Sequence, residues 1–190
     1  MPSADAIHWE TRYRSEPRLG MRETSPFLVE NAHLLPPAGK ALDVAMGAGA
    51  NAGFLLAHGL DIVGVDISMT ALRIAKSRWP GIHCFQADLT HVWLPTSGFD
   101  LIINFYYLQR DLWAEYGRIL KPGGLLILET LTREMLAIKP EMDPAYLLAP
   151  AELADLFREW EILSYHEGWI PSSSGGRKAV AGLVARNASR

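Results

Sequence analysis

The sequence predicts an α/β fold, a doubly wound sheet with helices on both faces. Two observations carry that expectation. Short apolar runs rich in β-branched residues recur along the chain, and segments of helical period lie between them. Runs that are apolar throughout, rather than alternating, mark strands covered on both faces, as in a parallel sheet. Strands and helices alternating on this scale fit right-handed crossovers.

The first strand is expected at Ala41-Leu42-Asp43-Val44-Ala45 and the second at Ile62-Val63-Gly64-Val65. Residues 82–87, 99–105 and 125–131 repeat the pattern. Leu72, Ala75 and Trp79 share a helix face at spacings of 3 and 4, with Ser68 as N-cap and Pro80-Gly81 as the stop. Leu108, Leu112, Tyr116 and Ile119 form a second stripe, ended by Lys121-Pro122-Gly123-Gly124. Leu153, Leu156, Phe157 and Trp160 form a third, with Pro150 near its first turn.

A length of 190 residues suits one domain. Hydrophobic residues at 49% and charged residues at 21% match a soluble globular domain, and a net charge of -3 gives no basic field for nucleic acid. The lone Cys84 excludes an internal disulfide and a cysteine-based zinc site. The six histidines show no ligand spacing, so no metal is expected. The start has no basic region followed by an apolar run, and no apolar stretch approaches the roughly 18 residues of a membrane span. A cytoplasmic protein without a membrane partner is expected; its oligomeric state is left open.

In such sheets ligands bind beyond the carboxyl ends of the strands. Gly47 and Gly49 lie there, in the turn after the first strand, and with Ala52 they fit the G-x-G-x-x-G/A spacing. Glycine lets the backbone turn sharply and approach a ligand. The helix that follows aims its amides at that ligand. Asp66 ends the second strand about 20 residues on, where a carboxylate accepts both hydroxyls of a ribose. Asp88 ends the third strand, placed for an exocyclic adenine amine or serving only as a loop acid. Asp43 lies inside the first strand, where an unpaired carboxylate is costly to bury. It is expected to fix the glycine loop or to meet a cationic ligand group through water. An adenosine compound is the expected ligand.

Asp43-Val44-Ala45-Met46-Gly47-Ala48-Gly49 resembles the first motif of class I S-adenosylmethionine-dependent methyltransferases, D-x-G-x-G-x-G, with Ala45 in place of the first glycine. Val65-Asp66-Ile67-Ser68, Ala87-Asp88-Leu89, Phe99-Asp100-Leu101-Ile102 and the run from Arg118 through Lys121-Pro122-Gly123-Gly124 to Ile127 look like the motifs that follow. Together they cover residues 40–130. Within that superfamily the chain is similar to the tellurite-resistance methyltransferases. That likeness rests on Trp9, Tyr13, Asn51, Asn104-Phe105-Tyr106-Tyr107-Leu108 and, weakly, Gly176-Arg177-Lys178.

The resemblance implies a seven-stranded Rossmann-like methyltransferase sheet whose last strand, residues 179–185, runs antiparallel, and S-adenosylmethionine as cofactor. It implies that Asp66 holds the ribose, Asp88 and Ile67 the adenine, and the Gly47–Gly49 turn the methionine part. Ala45, Asn51, Leu89 and Asn104 join the expected cofactor contacts. Residues 1–35 are expected as a helical cover in which Trp9 and Tyr13 lie over the cofactor while Arg12 reaches its carboxylate or belongs to a charged, solvated arm. Residues 132–149 are a candidate lid, and 150–190 supply the last helix and strands.

The methyl group is expected to emerge after the fourth strand. Tyr106 and Tyr107 wall the sulfonium by cation–π contact and bind an acceptor, or equally pack at a helix start. Arg110 attracts an anionic acceptor or is a solvated helix arginine. Glu129 and Thr130 are weaker pocket candidates. A thiolate or metalloid oxyanion needs no general base, whereas an alcohol or amine does. The expected reaction is methyl transfer to a small soft or anionic acceptor. Methylation of RNA or protein, and a non-catalytic nucleotide- or NAD-binding module, are the alternatives.

Overall fold

A computed structural model describes residues 3–91, 94–96, 98–172 and 175–188. Seven strands form one sheet in the order β3-β2-β1-β4-β5-β7-β6. They are β1 (Gly39–Val44), β2 (Leu60–Asp66), β3 (His83–Gln86), β4 (Phe99–Phe105), β5 (Leu120–Leu131), β6 (Glu161–Pro171) and β7 (Arg177–Arg186). Strands β1 to β5 pair in parallel, while β7 runs antiparallel to both β5 and β6. The doubly wound sheet with an antiparallel last strand is therefore present as expected.

Among the described residues six α-helices flank it: α1 (Ala4–Ser15), α2 (Pro26–Glu30), α3 (Ala50–Ala57), α4 (Met69–Arg78), α5 (Arg110–Ile119) and α6 (Glu152–Leu156). The continuous apolar strands do have two covered faces. On one face Ala41, Ile62, Leu101, Ile103, Leu125 and Ile127 pack against Phe27 and Leu28 of α2, Leu55 of α3 and Leu72 of α4. On the other, Leu42, Val44, Ile102, Leu126 and Leu128 pack against Leu112, Trp113, Tyr116 and Ile119 of α5 and Leu153 of α6. Each fully buried Leu or Ile side chain contributes about 1.5–3 kcal/mol. No helix among the described residues is long and apolar enough to cross a membrane.

The predicted helix stripes are realised to different extents. Ser68 caps α4 by accepting the Ala71 amide at 3.1 Å, and Ala71, Leu72 and Ala75 are buried. Trp79 packs against α3 through Gly53, where a Cβ would come within 2.1 Å of the indole. The third stripe is cut short. Ala151 takes a left-handed φ of 58°, α6 spans only 5 residues, and Leu156 is exposed. Asp100 and Lys121, from two of the later motifs, meet at 2.8 Å, and Asp100 also accepts the Lys40 amide at 2.8 Å. This pair ties β4 to the start of β5 at the edge of the sheet opposite the glycine turn, so those motif positions are structural.

Candidate active site

The turn after β1 is built from left-handed residues: φ is 54° at Ala45, 55° at Gly47 and 76° at Gly49. This conformation turns successive amides toward one side and makes a concavity suited to an anion. Asp66 closes the turn from the end of β2. Its Oδ2 accepts the Gly47 amide at 2.7 Å and its Oδ1 the Ser68 amide at 2.8 Å. Burial raises the Asp66 carboxyl against those lowering contacts. Below the turn Asp43 is buried, and its Oδ2 makes no hydrogen bond among the described residues. Burial, then the nearby Asp66, pushes Asp43 well above the usual carboxylate range.

Helix α1 lies over this turn. A Cβ on Gly47 would meet the Tyr13 hydroxyl at 2.3 Å, so only glycine accommodates the ring above it. Burial, followed by the charge of Asp66, pushes the Tyr13 hydroxyl up to about 12. Glu10 fixes the helix in place. It accepts from Ser68 Oγ at 2.8 Å, the Thr70 amide at 3.1 Å and Thr70 Oγ1 at 2.7 Å, at the N-terminus of α4. Hydrogen bonding from Thr70 draws the Glu10 carboxyl down to about 2. Arg12 stacks over Trp9 at 5.2 Å and pairs with Glu16 at 2.8 Å.

A second polar group lies at the ends of β4 and β5. Tyr106 has a φ of 59°, and this left-handed residue separates the two adjacent tyrosines. The Tyr107 hydroxyl donates to Gln109 and lies in the field of Asp88, Asp5 and Asp66, on the glycine-turn side. The Tyr106 hydroxyl donates to Glu129 Oε1 and accepts from Lys178 Nζ, whose ammonium also lies 4.5 Å from the ring centroid. Glu129 is 1% exposed, and its Oε2 is 3.4 Å from His166 Nε2 without hydrogen-bond alignment. Burial, then Glu129, raises the Tyr106 hydroxyl, whereas burial lowers Lys178.

The structure thus brings Tyr13, Asp43, Ala45, Gly47, Gly49 and Asp66 together, with Tyr107 facing them. The others sit as follows. Asn51 Oδ1 accepts the Ser25 amide at 2.8 Å and so docks the segment before α2. Asp88 accepts from Thr90 Oγ1 at 2.6 Å, Leu89 is buried, and the Ile67 carbonyl accepts from Gln86 at 2.9 Å. Asn104 is fully buried and donates to Tyr116 at 2.7 Å. Arg110 is partly exposed and bound within its own surroundings. Its guanidinium is held by Glu152 and by the Ala145 and Leu147 carbonyls at 3.1 and 3.3 Å, anchoring residues 132–149. Within that segment Met135 and Leu147 are buried against Ala179. Glu10, His166 and Lys178 have site contacts that sequence reasoning did not assign, because their partners lie 37 to 72 residues away.

Comparison with known proteins agrees with this architecture. Residues 41–124 match a family described as a methyltransferase domain. A probable S-adenosylmethionine-dependent methyltransferase of Mycobacterium tuberculosis is 30% identical over 98 residues, 48% of this chain and 35% of the relative. The demethylmenaquinone methyltransferase of Renibacterium salmoninarum is 32% identical over 53% of this chain and 44% of its own length. The chain therefore spans less than half the length of these relatives. A solved S-adenosylmethionine-dependent methyltransferase from Methanosarcina mazei superposes with a TM-score of 0.70 at 19% identity, covering 89% of this chain and 100% of that one, which shows the fold.

The sheet has the fold of the Methanosarcina mazei enzyme, residues 41–124 match a methyltransferase-domain family, and S-adenosylmethionine is the cofactor named for that enzyme and for the Mycobacterium tuberculosis relative. The residues present fit it. The left-handed turn suits a carboxylate, and the buried, unpartnered Asp43 Oδ2 suits an ammonium group reached through water. Each Asp66 oxygen that accepts one amide retains a second lone pair for a hydroxyl.

Proposed function

We propose that the protein transfers a methyl group from S-adenosylmethionine to a small-molecule acceptor by in-line displacement. One observation carries the reading. The glycine turn with Asp66, at the ends of β1 and β2, and the polar group around Tyr106, at the ends of β4 and β5, lie at the same carboxyl edge of the sheet. S-adenosylmethionine supplies a methyl group on a positively charged sulfur. The chain's part is to bind and align, which by itself supplies effective molarities of about 10⁵ M or more.

In this reading Asp66 accepts the ribose hydroxyls, and Asp88, Ile67 and Leu89 border the adenine. The Gly47–Gly49 amides and Asp43 take the methionine end, with Ala45, Asn51 and Asn104 shaping that pocket from behind. Trp9, Arg12 and Tyr13 on α1 cover it, and Tyr107 walls the sulfonium. The resemblance to tellurite-resistance methyltransferases favours a soft or anionic acceptor, such as a thiol or a metalloid oxyanion. The relative named for demethylmenaquinone supports a small molecule over a polymer. The mildly acidic composition favours a cytoplasmic reaction without nucleic acid or membrane.

Asp66→Ala is expected to weaken S-adenosylmethionine binding at least about tenfold, the ~1.4 kcal/mol of a lost charged hydrogen bond. Unchanged affinity in calorimetry removes Asp66 from the site. The unmodified protein is expected to bind S-adenosylmethionine and not NAD, and the reverse result overturns the reading. A screen of thiols, metalloid oxyanions, halides, amines and phenols, read by S-adenosylhomocysteine release, identifies the acceptor.

A further inference from the structure

Four neighbouring elements contribute one side chain each to the group around Tyr106. Register explains how they meet. Phe105 of β4 pairs with Glu129 of β5, Glu129 with Gly182 of β7, and Gly182 with His166 of β6. His166 and Glu129 are therefore two strands apart. They meet because Gly182 between them has no side chain: a Cβ there would come within 2.3 Å of His166 Nε2. Phe27 of α2 stacks on the imidazole at 4.6 Å and holds it over the gap. Lys178, on the same face of β7 as Gly182, reaches back to the Tyr106 hydroxyl.

Packing alone does not call for this arrangement. A carboxylate buried with an unpartnered oxygen is costly, and neutral side chains would tie these strands together without that cost. Tyr106 also holds a left-handed backbone, a strain of the kind that persists at functional sites. Its hydroxyl is raised by burial and by Glu129, so it stays protonated and serves as a donor, not as a base. Lys178 and Arg22 both act electrostatically on this corner, giving two cations against the single charge of Glu129.

Resting on the methyl transfer proposed above, we infer that Tyr106, Glu129 and Lys178 form the acceptor site. It takes a small molecule bearing a weakly acidic S–H or O–H group, whose proton passes through the Tyr106 hydroxyl to Glu129. The acceptor's hydrogen goes to Tyr106 Oη as the tyrosine's own hydrogen goes to Glu129 Oε1. The electron pair left on the acceptor's sulfur or oxygen forms the bond to the methyl carbon. The bond from that carbon to the sulfonium sulfur breaks, and its electron pair stays on sulfur. The products are the methylated acceptor, S-adenosylhomocysteine and a protonated Glu129. His166, 3.4 Å from Oε2 and about a third exposed, then leads the proton to solvent. Lys178 and Arg22 hold the acceptor's developing anion. An acceptor that arrives fully ionised has no proton for Glu129 and meets its charge, which places such acceptors second.

The test uses the full chain saturated with S-adenosylhomocysteine, so that no turnover occurs, and reads the ionisation of a bound probe by its absorbance. 4-Nitrophenol represents the O–H class, and thiophenol, whose thiolate is read in the ultraviolet, the S–H class. At least one is expected to ionise, when bound, about one pH unit or more below its value in buffer. Glu129→Gln and Tyr106→Phe are each expected to abolish most of that shift while keeping S-adenosylhomocysteine affinity within about threefold, half a decade or so in binding. With S-adenosylmethionine and unsubstituted phenol or 2-mercaptoethanol, turnover by Glu129→Gln is expected to drop about 10²–10⁴-fold. No shift for either bound probe, or a shift that survives in both variants, overturns the inference. Should Glu129→Gln fail to fold, Tyr106→Phe, which removes only an oxygen, decides alone. Failure of the unmodified chain to bind S-adenosylhomocysteine instead defeats the methyltransferase reading and is seen separately by calorimetry.

Discussion

Ala45 sits where the motif has glycine and still takes the left-handed conformation, with φ at 54°. An L-residue there brings its Cβ against the following carbonyl oxygen, at roughly 1–2 kcal/mol. Glycine removes that clash but gives the unfolded chain more freedom, which offsets about 0.4–1 kcal/mol. Ala45→Gly is therefore expected to stabilise the protein by about 0.5–1 kcal/mol, read as a higher urea midpoint at constant slope. A lower midpoint would mean that the turn accepts alanine without strain. Gly53 presents the opposite case. Its Cβ position lies 2.1 Å from the Trp79 indole, so Gly53→Ala forces α3 and α4 apart. The expected loss is about 1–3 kcal/mol in the same assay, as for other overpacked contacts.

At the scale of elements, α1 has no buried residue, so its own packing does not hold it to the body. Three contacts from Glu10 to Ser68 and Thr70 do so, where a carboxylate also favours the N-terminus of α4. Because the folded carboxyl is lowered to about 2, this anchorage is complete above the ordinary value of 4.5 and is lost as pH falls from there toward 2. Hydrogen exchange should show α1 amides losing protection across that interval before the β1 and β4 amides do. Glu10→Gln should reproduce the loss at neutral pH as faster proteolytic cutting within α1. Equal cutting rates in the two proteins would assign the docking of α1 to Tyr13 and not to Glu10.

For the molecule as a whole, the pH dependence of stability is set partly by Asp43. Its folded carboxyl is raised by burial and by Asp66, so the neutral form is the one the fold favours. Such a group contributes fully below its unfolded value of 3.8, and the contribution is lost as pH rises toward the folded value. Asp43→Asn keeps the shape and removes the titration. At neutral pH its thermal midpoint is expected to rise by about 2–4 °C, the effect of ~1 kcal/mol at this size, while cofactor affinity falls. A lowered midpoint would show that a charged Asp43 supports the glycine turn in the free protein.

By itself the sequence determined the layers of this protein. The runs at 62–65 and 125–128 are apolar throughout, and that at 41–44 is apolar but for Asp43, because both faces are covered, and a period of two against a period of 3.6 survives any tertiary arrangement. Gly47, Gly49, Asp43 and Asp66 were legible for a related reason: turn chemistry and spacing from a strand end are local properties. Local pattern failed at Leu156, where the left-handed Ala151 shortened α6, and it could not show the partners of Arg110, which lie 35 to 42 residues away. Only the tertiary structure decided the corner around Tyr106. Its members stand at 106, 129, 166 and 178, and what joins them is strand order, register and a missing Cβ at Gly182. Those are relations between strands, set by how β7 inserts antiparallel between β5 and β6, and no local run of residues encodes them.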